Sequence, residues 1–258
     1  MKVVILAGGF GTRISEERVF HPKPMLEIGD KPILWHIMKN FSAQGYHEFI
    51  ICCGYKQHMI KEWFANYYLY NSDVTFDFTN QNKLTVHQNL VDPWKETLVD
   101  TGLHTMTGGR IKRIQPYVKD ETFILTYGDG ISTVSINELV SYHKKNGKTV
   151  TLTGVKVEQK FGVLEMGKAG QVKSFREKSQ LDGSLINSGY MVLEPDVFSY
   201  IQGDDTFFEK EPLEELAKQG ELCAYIHEGF WKSMDTQRDR EQFEVLWNSG
   251  KAPWKIWE

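Results

Sequence analysis

The chain alternates short unbroken apolar runs with longer stretches in which apolar residues recur at helical spacing. The unbroken runs at 2–6, 49–53 and 123–127 predict strands that are buried on both faces of a sheet. After Pro32, apolar residues recur at helical spacing, and proline is favoured at the first helical position, so a first helix is predicted to begin there. A second helix is predicted over 56–67. This β-α-β-α order predicts an α/β fold, a Rossmann-like doubly wound mixed sheet with helices on both faces.

The rest of the chain continues the alternation, and we interpret 1–258 as a single domain. The further predicted strands are 97–100, 149–157, 185–193 and 222–226, with a paired ribbon at 161–164 and 171–175. The further predicted helices are one that opens at Ile111, one at 135–145 with a capping box of Ser135 and Glu138, and two at 212–218 and 237–247.

Residues 68 to about 95 interrupt this alternation of strands and helices, and their pattern predicts an inserted β-hairpin arm. Alternating patterns at 73–78 and 84–87 predict its two strands, joined by a turn at 80–82. The arm is rich in aromatic residues, and three placements are open: over the site, against another subunit, or as an edge hairpin on its own domain. The final segment, 229–258, predicts a helix and an apolar tail that docks on its own domain or on a neighbouring subunit.

The first strand runs into a glycine-rich loop, Leu6-Ala7-Gly8-Gly9-Phe10-Gly11-Thr12-Arg13. Glycine lets the backbone approach a ligand closely, and successive N–H groups in such a loop bind phosphate oxygens. Arg13 adds a planar, permanently charged group that suits phosphate. The alternative is a turn without a ligand. The loop is neither a P-loop, which ends in Gly-Lys-Ser/Thr, nor a dinucleotide fingerprint, since Ile14 stands where the third glycine belongs.

Three charged residues stand at positions that suit phosphate and metal chemistry. Lys23 lies between two prolines that restrict its backbone, although a rigid surface turn is the alternative. Asp129 follows Gly128 where a buried strand ends, and such a carboxylate suits Mg²⁺ together with a substrate phosphate. An Asp-Gly turn is the alternative there. Asp235 precedes a predicted helix and is either its N-cap or a second Mg²⁺ carboxylate.

Two further candidate sites rest on weaker patterns. Thr105 and Arg110 flank a glycine pair where a helix is predicted to open, which suits an anion or base contact or is simply a helix start. Asn187 is polar within a predicted strand, so it is either a satisfied core amide or a ligand contact.

Composition narrows the class of protein. The 258 residues include 30 Lys and Arg against 34 Asp and Glu, and the net charge of −4 argues against a nucleic-acid partner. The three cysteines are odd in number and two are adjacent in an apolar run, so we expect no disulfide framework and a reducing, cytoplasmic location. No signal peptide, membrane helix or zinc motif is expected.

The glycine loop followed by Pro22-Lys23-Pro24 resembles the signature of the nucleoside triphosphate:sugar-1-phosphate nucleotidyltransferases. The resemblance implies that Arg13, Lys23, Asp129 and Asp235 are catalytic, and that the two aspartates hold Mg²⁺. It also implies a nucleotide site, with these members: Leu6, Ala7, Gly8, Gly9, Phe10, Gly11, Thr12, Arg13, Lys23, Thr105, Arg110 and Gly128.

The same resemblance implies a sugar-phosphate site at Lys178 and Asn187. Lys178 lies in Glu177-Lys178-Ser179, where the family usually has E-K-P, and Asn187 lies in Asn187-Ser188-Gly189, where it has N-G-G. The sequence therefore departs from the family pattern by one residue in each motif.

The segments VDTGLHTMTGGR, LTYGDG and GFWKSMDT resemble the cytidylyltransferase branch of this family. That implies CTP and α-D-glucose 1-phosphate as substrates, CDP-glucose and pyrophosphate as products, and a place in dideoxysugar and O-antigen lipopolysaccharide synthesis. It also implies Mg²⁺ as cofactor and a homo-oligomer, a hexamer by the family resemblance. The alternatives are a uridylyl- or thymidylyltransferase, a catalytically inactive nucleotide-binding module, and an NAD-dependent oxidoreductase, against which the broken dinucleotide fingerprint counts.

Overall fold

The computed structural model describes residues 1–10, 21–88, 91–157, 163–166, 172–176 and 184–258, with the backbone alone for 157, 163–166 and 172–176. The strands in these ranges are β1 (Val3–Leu6), β2 (Glu27–Ile28), β3 (Lys31–Pro32), β4 (Glu48–Cys53), β5 (Val74–Asp77), β6 (Lys83–Val86), β7 (Lys95–Asp100), β8 (Phe123–Tyr127), β9 (Gly130–Ser132), β10 (Val150–Val157), β11 (Val163–Met166), β12 (Val172–Arg176), β13 (Ser184–Leu193), β14 (Leu222–His227) and β15 (Trp231–Ser233). The α-helices are α1 (Ile33–Ala43), α2 (Gln57–Tyr70), α3 (Thr107–Arg113), α4 (Gln115–Val118), α5 (Ile136–Asn146), α6 (Glu211–Lys218) and α7 (Gln237–Asn248).

Seven of the described strands form the central sheet, in the order β14-β10-β13-β8-β1-β4-β7. β1 lies in the middle and pairs in parallel with β4 and β8, and β7 extends this parallel half beyond β4. β13 runs antiparallel to both β8 and β10, which makes the sheet mixed. The predicted α/β fold is confirmed, and the carboxyl ends of β8, β1, β4 and β7 lie together at one end of the sheet.

The residues of β1 alternate between two hydrophobic cores. Val3 and Ile5 belong to the core beneath α1, α2, α5 and α7, whereas Val4 and Leu6 belong to the core beneath α3, α4 and α6. Because helices cover both faces, every β1 side chain is buried. Burial on both faces explains why this strand is an unbroken apolar run rather than an alternating one.

One helix start and one helix cap differ from the sequence-based predictions. α3 begins at Thr107, before the predicted opening at Ile111, because its glycine pair packs the first turn against another loop. A Cβ at Gly109 would lie 2.5 Å from Asp204 Cα. The N-cap of α7 is Thr236, which forms a capping box with Asp239, so the N-cap alternative for Asp235 is wrong.

The predicted hairpin is confirmed within residues 68–95. β5 and β6 pair antiparallel, and the turn between them places Gln81 and Asn82 in left-handed conformations. α2 continues to Tyr70, beyond its predicted end, so the hairpin begins only at Val74. The stacked rings of Phe76 and Phe78 have their centroids 6.3 Å apart.

The C-terminal tail docks on its own chain. Trp254 is fully buried, and its carbonyl accepts a 3.0 Å hydrogen bond from Asn40 Nδ2 on α1. Its ring stacks on Phe230 and meets Phe243 of α7 edge-on. The tail therefore packs on its own chain, which is one of the two positions that the sequence left open.

Cys52, Cys53 and Cys223 are free thiols. Burial raises the pKa of the Cys53 thiol to about 12, so it remains protonated at neutral pH. None of the helices in the described ranges combines the length and apolarity of a bilayer-spanning segment.

Candidate active site

A cavity of about 470 Å³ lies at the carboxyl ends of β1 and β8. Its lining, within the described ranges, is Leu6, Ala7, Gly8, Gly9, Phe10, Lys23, Pro24, Leu103, His104, Thr105, Met106, Thr107, Arg110, Tyr127, Gly128, Asp129, Phe207 and Asp235. This end of a parallel sheet is where α/β folds bind their ligands. The predicted nucleotide and metal residues that lie in the described ranges therefore meet at one cavity.

Gly128 brings the segment around Lys23 against the end of β8. Its amide donates to Leu6 O at 2.9 Å, which continues the parallel pairing by one residue. A Cβ at this position would lie 3.1 Å from Leu6 O and from Pro24 Cγ, closer than side chains normally approach. The glycine therefore leaves the space in which Pro24 packs, and that packing sets Lys23 beside Asp129.

A short strand pair brings Asp129 and Asp235 together from distant parts of the chain. β9 and β15 pair antiparallel, with Gly130 opposite Ser233, and Met234 N donates to Asp129 O at 2.8 Å. The Asp239 carboxylate accepts from Asp235 N at 3.2 Å, so the helix cap also fixes the loop that carries Asp235. Backbone hydrogen bonds therefore hold both carboxylates at the same place.

Lys23 lies between the two aspartates. Its Nζ is 2.5 Å from Asp129 Oδ2 and 2.9 Å from Asp235 Oδ1, and its side chain is 11% exposed. Burial lowers the pKa of Lys23, but the charges and hydrogen bonds of the two aspartates outweigh it and raise the pKa above the ordinary lysine value. Lys23 is therefore a fixed, protonated cation at neutral pH.

The two carboxylates suit a hard divalent cation. In the described part of the chain, no group of three or more His, Cys, Asp and Glu side chains is placed to hold a metal. A cation bound at Asp129 and Asp235 would complete its coordination with substrate phosphate and water, which is the habit of Mg²⁺ rather than of Zn²⁺ or Ca²⁺.

The first part of the glycine loop is held by backbone hydrogen bonds on one side and faces the cavity on the other. Ala7 N donates to Cys52 O at 3.1 Å, and Gly8 O accepts from Tyr55 N at 3.0 Å. Among the described residues, no atom would lie within 4 Å of a Cβ at Gly9, which itself lines the cavity. Gly11, Thr12 and Arg13 lie outside the described residues.

Arg110 and Thr105 both line the cavity, but their polar groups point to other loops. Arg110 is 4% exposed, and its Nη1 donates to Thr101 Oγ1 at 2.7 Å and to Gly102 O at 2.8 Å. Thr105 is buried against Gly102. Their assignment to the nucleotide stays a prediction.

The sequence did not indicate the hydrogen-bonded group formed by Tyr127, Glu209 and Thr107. Tyr127 OH and Thr107 Oγ1 both donate to the Glu209 carboxylate, the latter at 2.6 Å. Burial and the Glu209 charge raise the pKa of Tyr127. The position of Tyr127 at the end of an apolar strand could have indicated a role for this residue. The loop that carries Glu209 has no sequence pattern from which a role for Glu209 could be predicted.

Two aromatic side chains of the cavity lining, Phe10 and His104, contact each other. The Phe10 ring has its centroid 5.3 Å from that of Tyr55 and 5.7 Å from that of His104. Phe10 is 40% exposed, so one face of this ring is accessible. The sequence placed Phe10 in the nucleotide loop but gave no reason to join His104 or Tyr55 to it.

The predicted sugar-phosphate residues are only partly described. Asn187 Oδ1 accepts from Gly189 N at 2.9 Å, and the missing Cβ of Gly189, which would lie 2.3 Å from Tyr127 Cδ2, leaves room for the Tyr127 ring. This part of β13 places Asn187 outside the cavity lining, two residues before the contact of Gly189 with the lining residue Tyr127. Lys178 lies outside the described residues.

The sequence matches the family described as nucleotidyl transferase over residues 2–238. It is 56% identical to the glucose-1-phosphate cytidylyltransferase of Salmonella typhimurium over 100% of both chains. It is 45% identical to the probable glucose-1-phosphate cytidylyltransferase of Bacillus subtilis, again over 100% of both chains. Among solved structures, HddC from Yersinia pseudotuberculosis shares the fold with a TM-score of 0.70 and 23% identity, covering 95% of this chain and 99% of that one.

Proposed function

The chain belongs to the nucleotidyl transferase family, as its motifs predict, and we propose that it transfers the cytidylyl group of CTP to α-D-glucose 1-phosphate. The products are CDP-glucose and pyrophosphate. The observation that carries the proposal is the convergence of Lys23, Asp129 and Asp235 beside the glycine loop. The choice of cytosine and glucose rests on the full-length relatives at 56% and 45% identity.

The reaction brings two polyanions together. A phosphate oxygen of glucose 1-phosphate attacks the α-phosphorus of CTP and forms the new P–O bond. The bond from that phosphorus to the bridging oxygen of the β-phosphate breaks, and pyrophosphate leaves with the electron pair. Positioning and charge stabilisation are the main contributions that a protein makes to such a transfer.

Lys23 supplies a cation where negative charge accumulates. Its position between two carboxylates keeps it protonated, and it lines the cavity in which the α-phosphate of the nucleotide would lie. There it stabilises the developing charge at the reacting phosphorus. The N–H groups of the glycine loop, together with Arg13, hold the departing pyrophosphate.

Asp129 and Asp235 are the residues that would hold Mg²⁺. When bound, the cation neutralises phosphate charge and acts as a Lewis acid. The β9–β15 pairing and the Asp239 cap fix the two carboxylates before substrate arrives, so little reorganisation is needed at the moment of reaction.

The other contacts follow the family assignment. Thr105, Arg110 and Gly128 belong to the nucleotide side of the site, and Lys178 and Asn187 to the sugar-phosphate side. The amide of Asn187 is hydrogen-bonded to Gly189, which contacts the lining residue Tyr127, and this supports the placement of Asn187.

We also infer a single domain over 1–258 that works in the cytoplasm as a homo-oligomer. The burial of Trp254 among residues of α1 and α7 supports the single domain. The exposed rings of Phe76 and Phe78 support association, since exposed apolar patches mark contact surfaces. The free cysteines support a reducing location.

The proposal is tested by pyrophosphate release. The protein is incubated with Mg²⁺ and glucose 1-phosphate, and CTP, UTP, dTTP, ATP and GTP are offered separately. Release with CTP alone is expected, after which galactose and mannose 1-phosphates test the sugar. Release with UTP or dTTP instead would move the chain to a sister branch. No release with any pair would favour the inactive nucleotide-binding module.

A further inference from the structure

A bulge interrupts β13 directly after Asn187. In the pairing of β13 with β10, residues 188–190 correspond to Thr153 alone, so the two strands lose their regular register there. The Ser188 hydroxyl donates to Thr153 O at 2.9 Å and closes the bulge against β10. A bulge of this kind bends its strand and re-aims the side chains around it, and bulges are common next to active sites. The position of Asn187 is therefore set by the geometry of this bulge.

Two side chains connect the bulge to the short strand pair that precedes the two aspartates. Trp231 of β15 donates from its Nε1 to Ser188 O at 2.8 Å. In the other direction, Tyr190 OH donates to Gly130 O of β9 at 3.1 Å. Ser188 and Tyr190 are both buried, and breaking a buried hydrogen bond is costly because it leaves both groups unsatisfied. The bulge and the β9–β15 pair therefore keep one relative position.

One face of β15 serves both sides of the site. Trp231 and Ser233 lie on the same face, because side chains alternate along a strand. Ser233 Oγ donates to Asp235 Oδ2 at 2.6 Å, whereas Trp231 holds the bulge. A strand of three residues thus contacts the Asp235 carboxylate at one end and β13 at the other.

Trp231 is not among the described residues that line the cavity. Its ring is partly buried and packs against the core beneath α1 and α7. Its effect on a ligand in the cavity must therefore pass through the groups that it holds. Such an effect can be large, because small displacements of the groups that orient two reactants slow their reaction strongly.

We propose that Trp231 is a positioning residue that sets the distance between the two carboxylates and the sugar-phosphate side of the site. Its indole N–H holds the bulge, and with it Asn187, in place relative to Asp129 and Asp235. The inference rests on the proposed function, because that function places glucose 1-phosphate on the side of Asn187. The glycine loop and α3, which the nucleotide contacts, lie on other elements, so the loss of this bond affects the sugar phosphate and not CTP.

The test compares Trp231→Phe with Trp35→Phe in steady-state kinetics with each substrate varied in turn. Phenylalanine keeps an aromatic ring but has no N–H to donate. In Trp231→Phe the KM for glucose 1-phosphate is expected to rise by about 5-fold, the effect of one hydrogen bond, while the KM for CTP stays within about twofold.

Trp35 provides the matched control, because its Nε1 also donates a hydrogen bond, to Tyr67 OH at 2.9 Å, and it lies outside the cavity lining. Trp35→Phe is expected to leave both KM values within about twofold of wild type. Denaturant unfolding of each variant separates position from stability, since a smaller folded fraction lowers kcat and leaves KM unchanged.

A second variant tests the same connection from β13. Tyr190→Phe removes only the hydroxyl that bonds to Gly130 O, and it is expected to raise the KM for glucose 1-phosphate and not the KM for CTP. It replaces Trp231→Phe if that variant does not fold.

An unchanged KM for glucose 1-phosphate in the folded variant would overturn the proposal. An equal rise in both KM values, or the same rise in Trp35→Phe, would overturn it as well, because the effect would then be a general distortion. A wild type that is inactive with every nucleoside triphosphate would contradict the proposed function, whereas an active wild type with unaffected variants would contradict the role of Trp231 alone.

Discussion

The Lys23 ammonium lies 2.5 Å from the Asp129 carboxylate, although 106 residues separate them in the chain. The contact depends on Gly128, whose missing side chain admits Pro24 to the end of β8. Asp235 shares the same ammonium at 2.9 Å. Two acidic residues are thus kept close without mutual repulsion, and a cation stands where phosphate charge is to be stabilised.

Lys23→Met is expected to lower both activity and stability. Without the ammonium, two neighbouring carboxylates lose their shared partner, and the free energy of unfolding falls by about 1–3 kcal/mol. Millimolar Mg²⁺ restores most of this loss, because a divalent cation binds the same pair of oxygens. Thermal unfolding with and without Mg²⁺ measures both effects. Lys31→Met, on a loosely paired lysine outside the cavity lining, is the control, and an equal Mg²⁺ response in all three proteins would contradict the account.

Asp129→Asn is expected to reduce turnover by about 10²–10³, the effect of losing one preorganised electrostatic group. The amide keeps the shape of the side chain but loses the charge that pairs with Lys23. Steady-state kinetics at ordinary Mg²⁺ measures the loss. Asp30→Asn, at a side chain that is 84% exposed, is the matched control. Near-wild-type turnover in Asp129→Asn would remove this residue from the site.

Because of His36, the free energy of unfolding is expected to decrease as the pH falls below neutral. Burial lowers its pKa to about 4 from the ordinary 6.5, and the ring is held neutral between Ile28 O at 2.9 Å and Trp254 Nε1 at 3.4 Å. Between these two pKa values the unfolded chain binds a proton that the folded chain does not. Stability from this group is complete above pH 6.5 and is lost as pH falls to about 4, by about 2 kcal/mol at pH 5.

Denaturant unfolding of wild type and His36→Gln at pH 7.5 and pH 5 measures this loss. The difference in unfolding free energy between the two proteins should shift in favour of the variant at the lower pH. A difference that does not change with pH would show that His36 titrates normally in the folded protein.

Trp254→Ala is expected to cost about 3–5 kcal/mol of unfolding free energy, the usual effect of truncating a fully buried aromatic residue. The ring is 0% exposed in the core beneath α1 and α7. Ile256→Ala, two residues on and 51% exposed, should change stability by less than about 0.5 kcal/mol. Chemical denaturation compares the two variants. Equal, small effects would mean that the tail is not docked on its own chain in solution.

The hairpin arm is expected to hold an oligomer together. Phe76 and Phe78 are 52% and 78% exposed, and they form one stacked apolar surface. Light scattering should give a mass above that of one chain for wild type, and a lower mass for the Phe76→Ser and Phe78→Ser double variant. Val245→Ser, at an equally exposed apolar residue on α7, should leave the mass unchanged. A wild-type mass of one chain would contradict the prediction.

Local patterns were enough to predict the seven strands of the central sheet, but not the short strands β2, β3, β9 and β15. β1 was visible because both of its faces are buried, and Asp129 because it follows β8 between two glycines. The sequence-based prediction considered only Asp235 as the N-cap of α7, although Thr236 followed by Asp239 is a capping-box pattern that could have been recognised.

Long-range contacts were beyond the sequence. The residue type of Arg110 suits phosphate binding, but only the fold brings its side chain between Gly8, Gly54 and Thr101. Glu209 meets Tyr127 from a loop without periodicity, so no pattern could mark it. In both cases the partners are separated by many residues, and the periodicity of hydrophobic residues along the chain carries no information about such pairs.

The most direct test of the central claim is to follow both products in one tube by phosphorus NMR. Wild-type protein is mixed with CTP, glucose 1-phosphate and Mg²⁺, with the Asp129→Asn variant in parallel. The account predicts equal appearance of CDP-glucose and pyrophosphate with wild type, and formation slower by about 10²–10³ with the variant. Phosphate released from CTP without CDP-glucose, or no reaction with any nucleoside triphosphate, would contradict it.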